Sequence, residues 1–89
     1  INGFVVLPGG RALTRREKLI AKLRARPAEA DFRDVQALLV EYGWTFARQK
    51  GSHATFTKAG EIALFIPLRS GRKVTRPYVD EICNRLGLD

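Results

Sequence analysis

The residues with most chemical capacity lie in two short stretches. Arg48-Gln49-Lys50-Gly51-Ser52-His53 carries the only imidazole in the 89 residues, and Arg69-Ser70-Gly71-Arg72-Lys73-Val74-Thr75-Arg76 carries a cluster of cations. An imidazole is the side chain whose ordinary titration lies nearest neutrality, so it can take and return a proton near pH 7. Lys and Arg supply charge-assisted donors for phosphate oxygens, and a serine hydroxyl beside the histidine adds another. Arg48, Lys50, Ser52 and His53 therefore have the means for acid-base work on a bound polyanion. Arg69, Arg72, Lys73 and Arg76 form a second phosphate-binding group around the start of a helix, whose free N–H groups favour an anion. A plainer reading stands beside this one. A strand histidine is commonly a hydrogen-bonded structural residue, and Lys, Gly and Ser are ordinary turn composition.

Charge distribution narrows the choice of partner. The net charge is +7, and its sign alternates in blocks: +6 over residues 1–27, −3 over 28–43, +6 over 44–77 and −2 over 78–89. A basic block inside a folded domain suits a polyanion, because each neutralised phosphate releases counterions. Nucleic acid is the first class of partner on this ground and an acidic protein the second, and a merely solvated basic surface is the plainer alternative. One cysteine forms no internal disulfide, and a single Cys with a single His falls short of the usual zinc ligand set, so no metal or other cofactor is expected. The apolar stretches, such as Phe4 to Leu7 and Ile62 to Ile66, are far shorter than a membrane span. These features predict a cytoplasmic protein in a reducing compartment.

These residues must be positioned by elements that the pattern announces. Ile1 is no initiating residue, and residues 1–13 are read as a tail outside the fold. Thr14-Arg15-Arg16-Glu17 is a capping box, which starts a helix. Its narrow stripe of Leu19, Ile20 and Leu23 among cations predicts a peripheral or flexibly docked element over residues 14–27, ended by Pro27, which disfavours helical geometry at Arg26. Asp31 and Asp34 offer further caps, and Val35, Leu38, Leu39 and Tyr42 follow at i, i+3, i+4 and i+7, as on an amphipathic helix that Gly43 stops. Trp44 to Gln49 and His53 to Lys58 then read as a hairpin around Gly51. Ile62 to Ile66 is apolar on both faces, as in a covered third strand closed by Pro67. Leu68 to Val74 reads as a surface loop, too rich in cations for core. Thr75 caps a last helix that runs to Leu86 and stops at Gly87, with Val79, Ile82, Cys83 and Leu86 in its apolar stripe. Cys83 is thus core and not a nucleophile. Trp44, Phe46 and Phe65 alternate with small residues, which favours core over base stacking. The expected fold is α+β: an α-β-β-β-α unit over residues 28–89 with a three-stranded antiparallel sheet, one face covered by two helices, plus an extra N-terminal helix.

The run from Gly43 through Gly51-Ser52-His53 to Phe56 closely resembles the HicA family of toxins. The likeness extends back through the helix Val35 to Tyr42 and forward through Pro67 to the last helix, about residues 31 to 89, and leaves the first helix outside. It implies a double-stranded-RNA-binding-domain-like (dsRBD-like) fold, mRNA cleavage, and neutralisation by a HicB-like antitoxin. The family's catalytic motif histidine corresponds to His53. Metal-free RNA cleavage needs a base for the 2′-OH proton and donors for the charged phosphorane, and His53 with its neighbouring cations answers both needs. If Phe56 faces the core, strand alternation puts His53 on the accessible face.

The chain also departs from the pattern. Leu68 to Val74 lacks the second histidine that some members carry, which leaves the general acid open between water, Lys50 and Tyr78. The competing functions are a non-catalytic double-stranded-RNA-binding module and a basic domain that takes an acidic protein.

Overall fold

The computed structural model describes residues 12–88. Most of the tail expected at residues 1–13 lies outside the described residues. The first helix, α1 (Arg15–Arg24), opens with the predicted capping box: Glu17 N–H donates to Thr14 Oγ1 at 3.1 Å, and Thr14 N–H donates to Glu17 Oε1 at 2.9 Å. It ends before Arg26, whose φ of 53° is left-handed, ahead of Pro27. Then follow β1 (Glu29–Asp31), α2 (Phe32–Glu41), β2 (Thr45–Lys50), β3 (His53–Thr57), β4 (Leu64–Pro67), β5 (Lys73–Thr75) and α3 (Arg76–Leu86). Three antiparallel strands in the order β2-β3-β4 form the main sheet, and β1 pairs antiparallel with β5 in a second, two-stranded one. The α+β class and the three-stranded antiparallel sheet are those expected, and the arrangement is compatible with a dsRBD-like fold.

One apolar cluster holds these elements together. Val35, Leu38 and Leu39 of α2 and Val79, Ile82 and Cys83 of α3 are buried with Ala54 and Phe56 of β3 and Leu64 and Ile66 of β4. Phe32, at the start of α2, meets the Phe46 and Phe56 rings at centroid distances of 5.8 and 6.0 Å, which seats the helix on the sheet. Lys58 Nζ donates to the Tyr42 carbonyl at 2.8 Å, satisfying an acceptor left over at the end of α2. Cys83 is buried, and its thiol lies 3.4 Å from the Leu23 carbonyl.

Four expectations need correction. The first helix is not peripheral: Leu23 is fully buried, Leu19 nearly so, and α1 packs against both α2 and α3. Its stripe is narrow because two leucines suffice to fill the space between two other helices. Leu68 to Val74 is not simply a surface loop, since Leu68 and Val74 are both buried. Its last two residues begin β5, and the pairing partner β1 is only three residues long, too short to show a period. The third strand is not covered on both faces. Leu64 and Ile66 face the core, whereas Phe65 is 61% exposed, so Phe65 is no core residue, and Ile62, ahead of the strand, is 80% exposed. Finally, neither Asp31 nor Thr75 caps with its side chain, although each occupies the N-cap position. The Asp31 carboxylate is engaged by Lys73 instead.

Candidate functional site

The hairpin that carries His53 is built by two local devices. Gly51 has φ 60° and Ser52 does not, the pattern of a tight two-residue turn with glycine in its first central position. Lys50 and His53 are consequently direct cross-strand partners. The second device is a β-bulge at Ala47. Phe46 pairs with Phe56 but Arg48 pairs with Thr55, so one residue of β2 has no opposite number. Strict alternation would put residues 46, 48 and 50 on one face. The bulge reverses the parity, which lets Phe46 turn toward the core while Arg48 and Lys50 share the outer face with Thr55 and His53.

His53 is exposed and lies between Lys50 on β2 and Pro67 on β4, in the accessible position that the buried Phe56 implies. The turn is fastened from both sides. Gln49 Nε2 donates to the Gly51 carbonyl at 3.1 Å, and Leu68 N–H donates to the Ser52 carbonyl at 2.6 Å. That last bond sets Arg69 one residue beyond the hairpin tip. Among the described residues, Arg48 and Lys50 pair with no carboxylate, so both keep their donors for a ligand.

The second cationic group is divided. Arg69 Nη1 contacts Glu29 Oε2 at 2.8 Å and Lys73 Nζ contacts Asp31 Oδ1 at 2.6 Å, so both reach toward carboxylates on β1. The Lys73 ammonium, first by hydrogen bond and then by charge, holds the Asp31 carboxyl below the ordinary aspartate range. Arg72 and Arg76 have no carboxylate partner among the described residues. Ser70 (φ 54°) and Gly71 (φ 75°) form the centre of the turn that presents Arg72, closed by Arg72 N–H donating to the Arg69 carbonyl at 3.2 Å. A cleft of about 410 Å³ opens beside this turn, lined by Asp31, Phe32, Arg33, Gly71 and Arg72, none of them on the hairpin. The start of α3 is a poorer anion seat than its sequence suggests. Arg76 N–H donates to the Ala28 carbonyl at 3.0 Å, and Pro77 has no N–H to offer.

The structure thus brings Arg48, Lys50, Ser52 and His53 together on one hairpin. Arg69 stands close by but in an ion pair, Lys73 is turned to Asp31, and Arg72 and Arg76 belong to the neighbouring turn and helix. Sequence reasoning missed Phe65 as an outer-face residue: Thr55, which borders it on β3, is paired with it in register. The signal was available in the polar alternation His53, Thr55, Thr57, which marks an uncovered face. Among the described residues no group of three or more His, Cys, Asp or Glu side chains gathers as a metal site would require, and no helix is long and apolar enough to cross a membrane. Residues 32–88 match the family described as HicA toxin of bacterial toxin-antitoxin. Searches of curated proteins and of solved structures found no match.

Proposed function

Since the chain belongs to the HicA toxin family and is thereby a toxin of a toxin-antitoxin system, we propose that it is a metal-independent endoribonuclease that cleaves mRNA with His53 as its catalytic residue. The observation that carries this reading is the placement of the only imidazole on the open face of the sheet, directly across from the unpaired Lys50.

In this mechanism neutral His53 takes the proton from a ribose 2′-OH, and the freed oxygen attacks the adjacent phosphorus. The bond from phosphorus to the 5′ oxygen breaks, leaving a 2′,3′-cyclic phosphate, and the departing oxygen receives a proton. Lys50 and Arg48 face the charge that develops on the phosphorane, and Lys50 or water returns the proton. Tyr78 lies on α3, half-buried against the core and off the hairpin that carries His53, which favours Lys50 or water as the acid. The 2′-OH requirement makes the site specific for RNA over DNA. The partner of such a toxin is a HicB-like antitoxin that covers the hairpin, and the setting is the cytoplasm. The remaining RNA contacts are assigned to Ser52 and Arg72, with Arg76, Arg69 and Lys73 at the margin.

The test compares wild type with His53→Ala on one labelled RNA, with and without chelator. Loss of a general base reduces the rate on the order of 10² to 10⁴-fold. RNA affinity and thermal stability stay unchanged, because an exposed strand position adds little packing. Undiminished cleavage together with a lowered melting temperature makes His53 structural and the protein a binding module.

A further inference from the structure

Among the described residues, the outer face of the sheet bears one large apolar side chain near the histidine. Val40, Ile62 and Phe65 are the exposed large hydrophobics among the described residues. Val40 lies on α2 and Ile62 precedes β4, so only Phe65 shares a sheet face with His53. The register fixes their relation. Thr55 is opposite Phe65 on β4 and opposite Arg48 on β2, while His53 is opposite Pro67 and Lys50. Phe65 therefore sits diagonally from His53, at about 7–8 Å between backbones, with Arg48 at the far side of Thr55. An aromatic ring left 61% exposed forgoes burial that its neighbours Leu64 and Ile66 obtain. Its position, diagonal to the proton-transfer group and on the same face as two unpaired cations, matches a ligand in which a flat apolar group and a phosphate are covalently joined.

We propose that Phe65 is a substrate-positioning residue that stacks on a base next to the scissile phosphate, and that the substrate is consequently RNA in single-stranded form. This rests on the ribonuclease reading of the His53 hairpin and deepens it. A base seated on Phe65 holds its own phosphate over Lys50 and His53, while Arg48 meets a neighbouring phosphate. Within a duplex the base faces are already stacked on one another, so Phe65 has a surface to engage only where the strand is single. Stacking tolerates any base, so Phe65 confers positioning and strandedness, not sequence preference.

The experiment measures binding of a short labelled oligoribonucleotide, alone and annealed to its complement, to proteins that carry His53→Ala so that no RNA is consumed. Phe65→Ala should weaken single-strand binding by about 5- to 150-fold, the range for loss of one stacked base, and leave duplex binding unchanged. Phe65→Leu should bind as poorly as Phe65→Ala, and Phe65→Trp should restore binding with fluorescence quenched by the stacked base. Trp44 is buried and supplies a constant background. With the active histidine present, Phe65→Ala should raise KM more than it lowers kcat. Single-strand affinity unchanged by Phe65→Ala overturns the proposal. So does retention by Phe65→Leu accompanied by a weaker complex with the antitoxin, which makes this face a protein-docking surface. Because binding is read without turnover, Phe65-dependent binding by a protein that cleaves nothing supports the stacking face and removes the catalytic reading alone. Cleavage that ignores Phe65 does the reverse.

Discussion

Replacing Leu23 by Ala tests whether α1, which precedes the matched residues 32–88, is integral to the fold. Leu23 is fully buried, where α1 packs against α2 and α3, and its carbonyl is met by the Cys83 thiol. Truncation removes the transfer contribution of three carbons and leaves a cavity whose walls belong to other helices. Buried Leu→Ala changes destabilise by about 2.7–5.0 kcal/mol, so about 3 kcal/mol is expected. Alanine is the better helix former, and this offsets only a few tenths of a kcal/mol. For a domain of this size each kcal/mol lowers the melting temperature by roughly 4–8 °C, so the fall should be on the order of 10–25 °C. Lys22→Ala is the control one residue away. Lys22 meets Asp34 at 3.2 Å, but its side chain is 64% exposed, and such a pair contributes about 0–1 kcal/mol. Urea unfolding of both variants, followed by circular dichroism, checks the difference. A Leu23→Ala loss below about 1 kcal/mol, or a separate early transition that accounts for α1 alone, would refute the reasoning and return the helix to the periphery.

Two further expectations concern charge. If Arg48 and Lys50 both meet phosphates, single-stranded RNA affinity should fall with salt and the double variant Arg48→Ala/Lys50→Ala should flatten the log–log slope by about 1.4, at roughly 0.7 per contact. Arg69→Ala should alter the slope less, since Glu29 already holds that guanidinium; a slope insensitive to the Arg48 and Lys50 changes would move RNA off the hairpin. The Asp31–Lys73 pair should show in acid unfolding. The Asp31 carboxyl is held below its ordinary value of 3.8, so its contribution is present above that pH and disappears as pH falls through the lowered folded-state value. Asp31→Asn should therefore lose stability relative to wild type at neutral pH and converge with it at the acid end, and a constant difference at all pH values would exclude the linkage.

The long periodic elements and the hairpin were legible because their signals are local. Thr14 and Glu17 cap within three residues, Gly43 and Gly87 end helices with φ of 89° and 71°, and Gly51 makes a two-residue turn. Parity then placed His53 outside from Phe56 alone. What escaped depended on partners distant in sequence. The β1–β5 ladder joins Glu29–Asp31 to Lys73–Thr75, two three-residue segments too short for any periodicity. The ladder sets Asp31 against Lys73, and Glu29 on the same short strand reaches Arg69 by its side chain, so two of the four cations in an apparently free group are neutralised by carboxylates some forty positions earlier. The exposure of Phe65 was hidden because a run of apolar residues reads as buried whichever face is actually covered.

The extra residue at Ala47 makes β2 a segment whose length is counted in ones. A substitution along it alters a single side chain, but one residue inserted between Lys50 and Gly51, with the turn and β3 kept in place, exchanges the faces of the residues before it, turning Arg48 and Lys50 inward and presenting Gln49 in their place. A change of two residues restores the faces and only lengthens or shortens the ribbon. Relatives that share this surface are therefore expected to differ here by replacements and by paired insertions or deletions, and single-residue gaps should accumulate instead in the Ala59-Gly60-Glu61 turn, where no face is at stake.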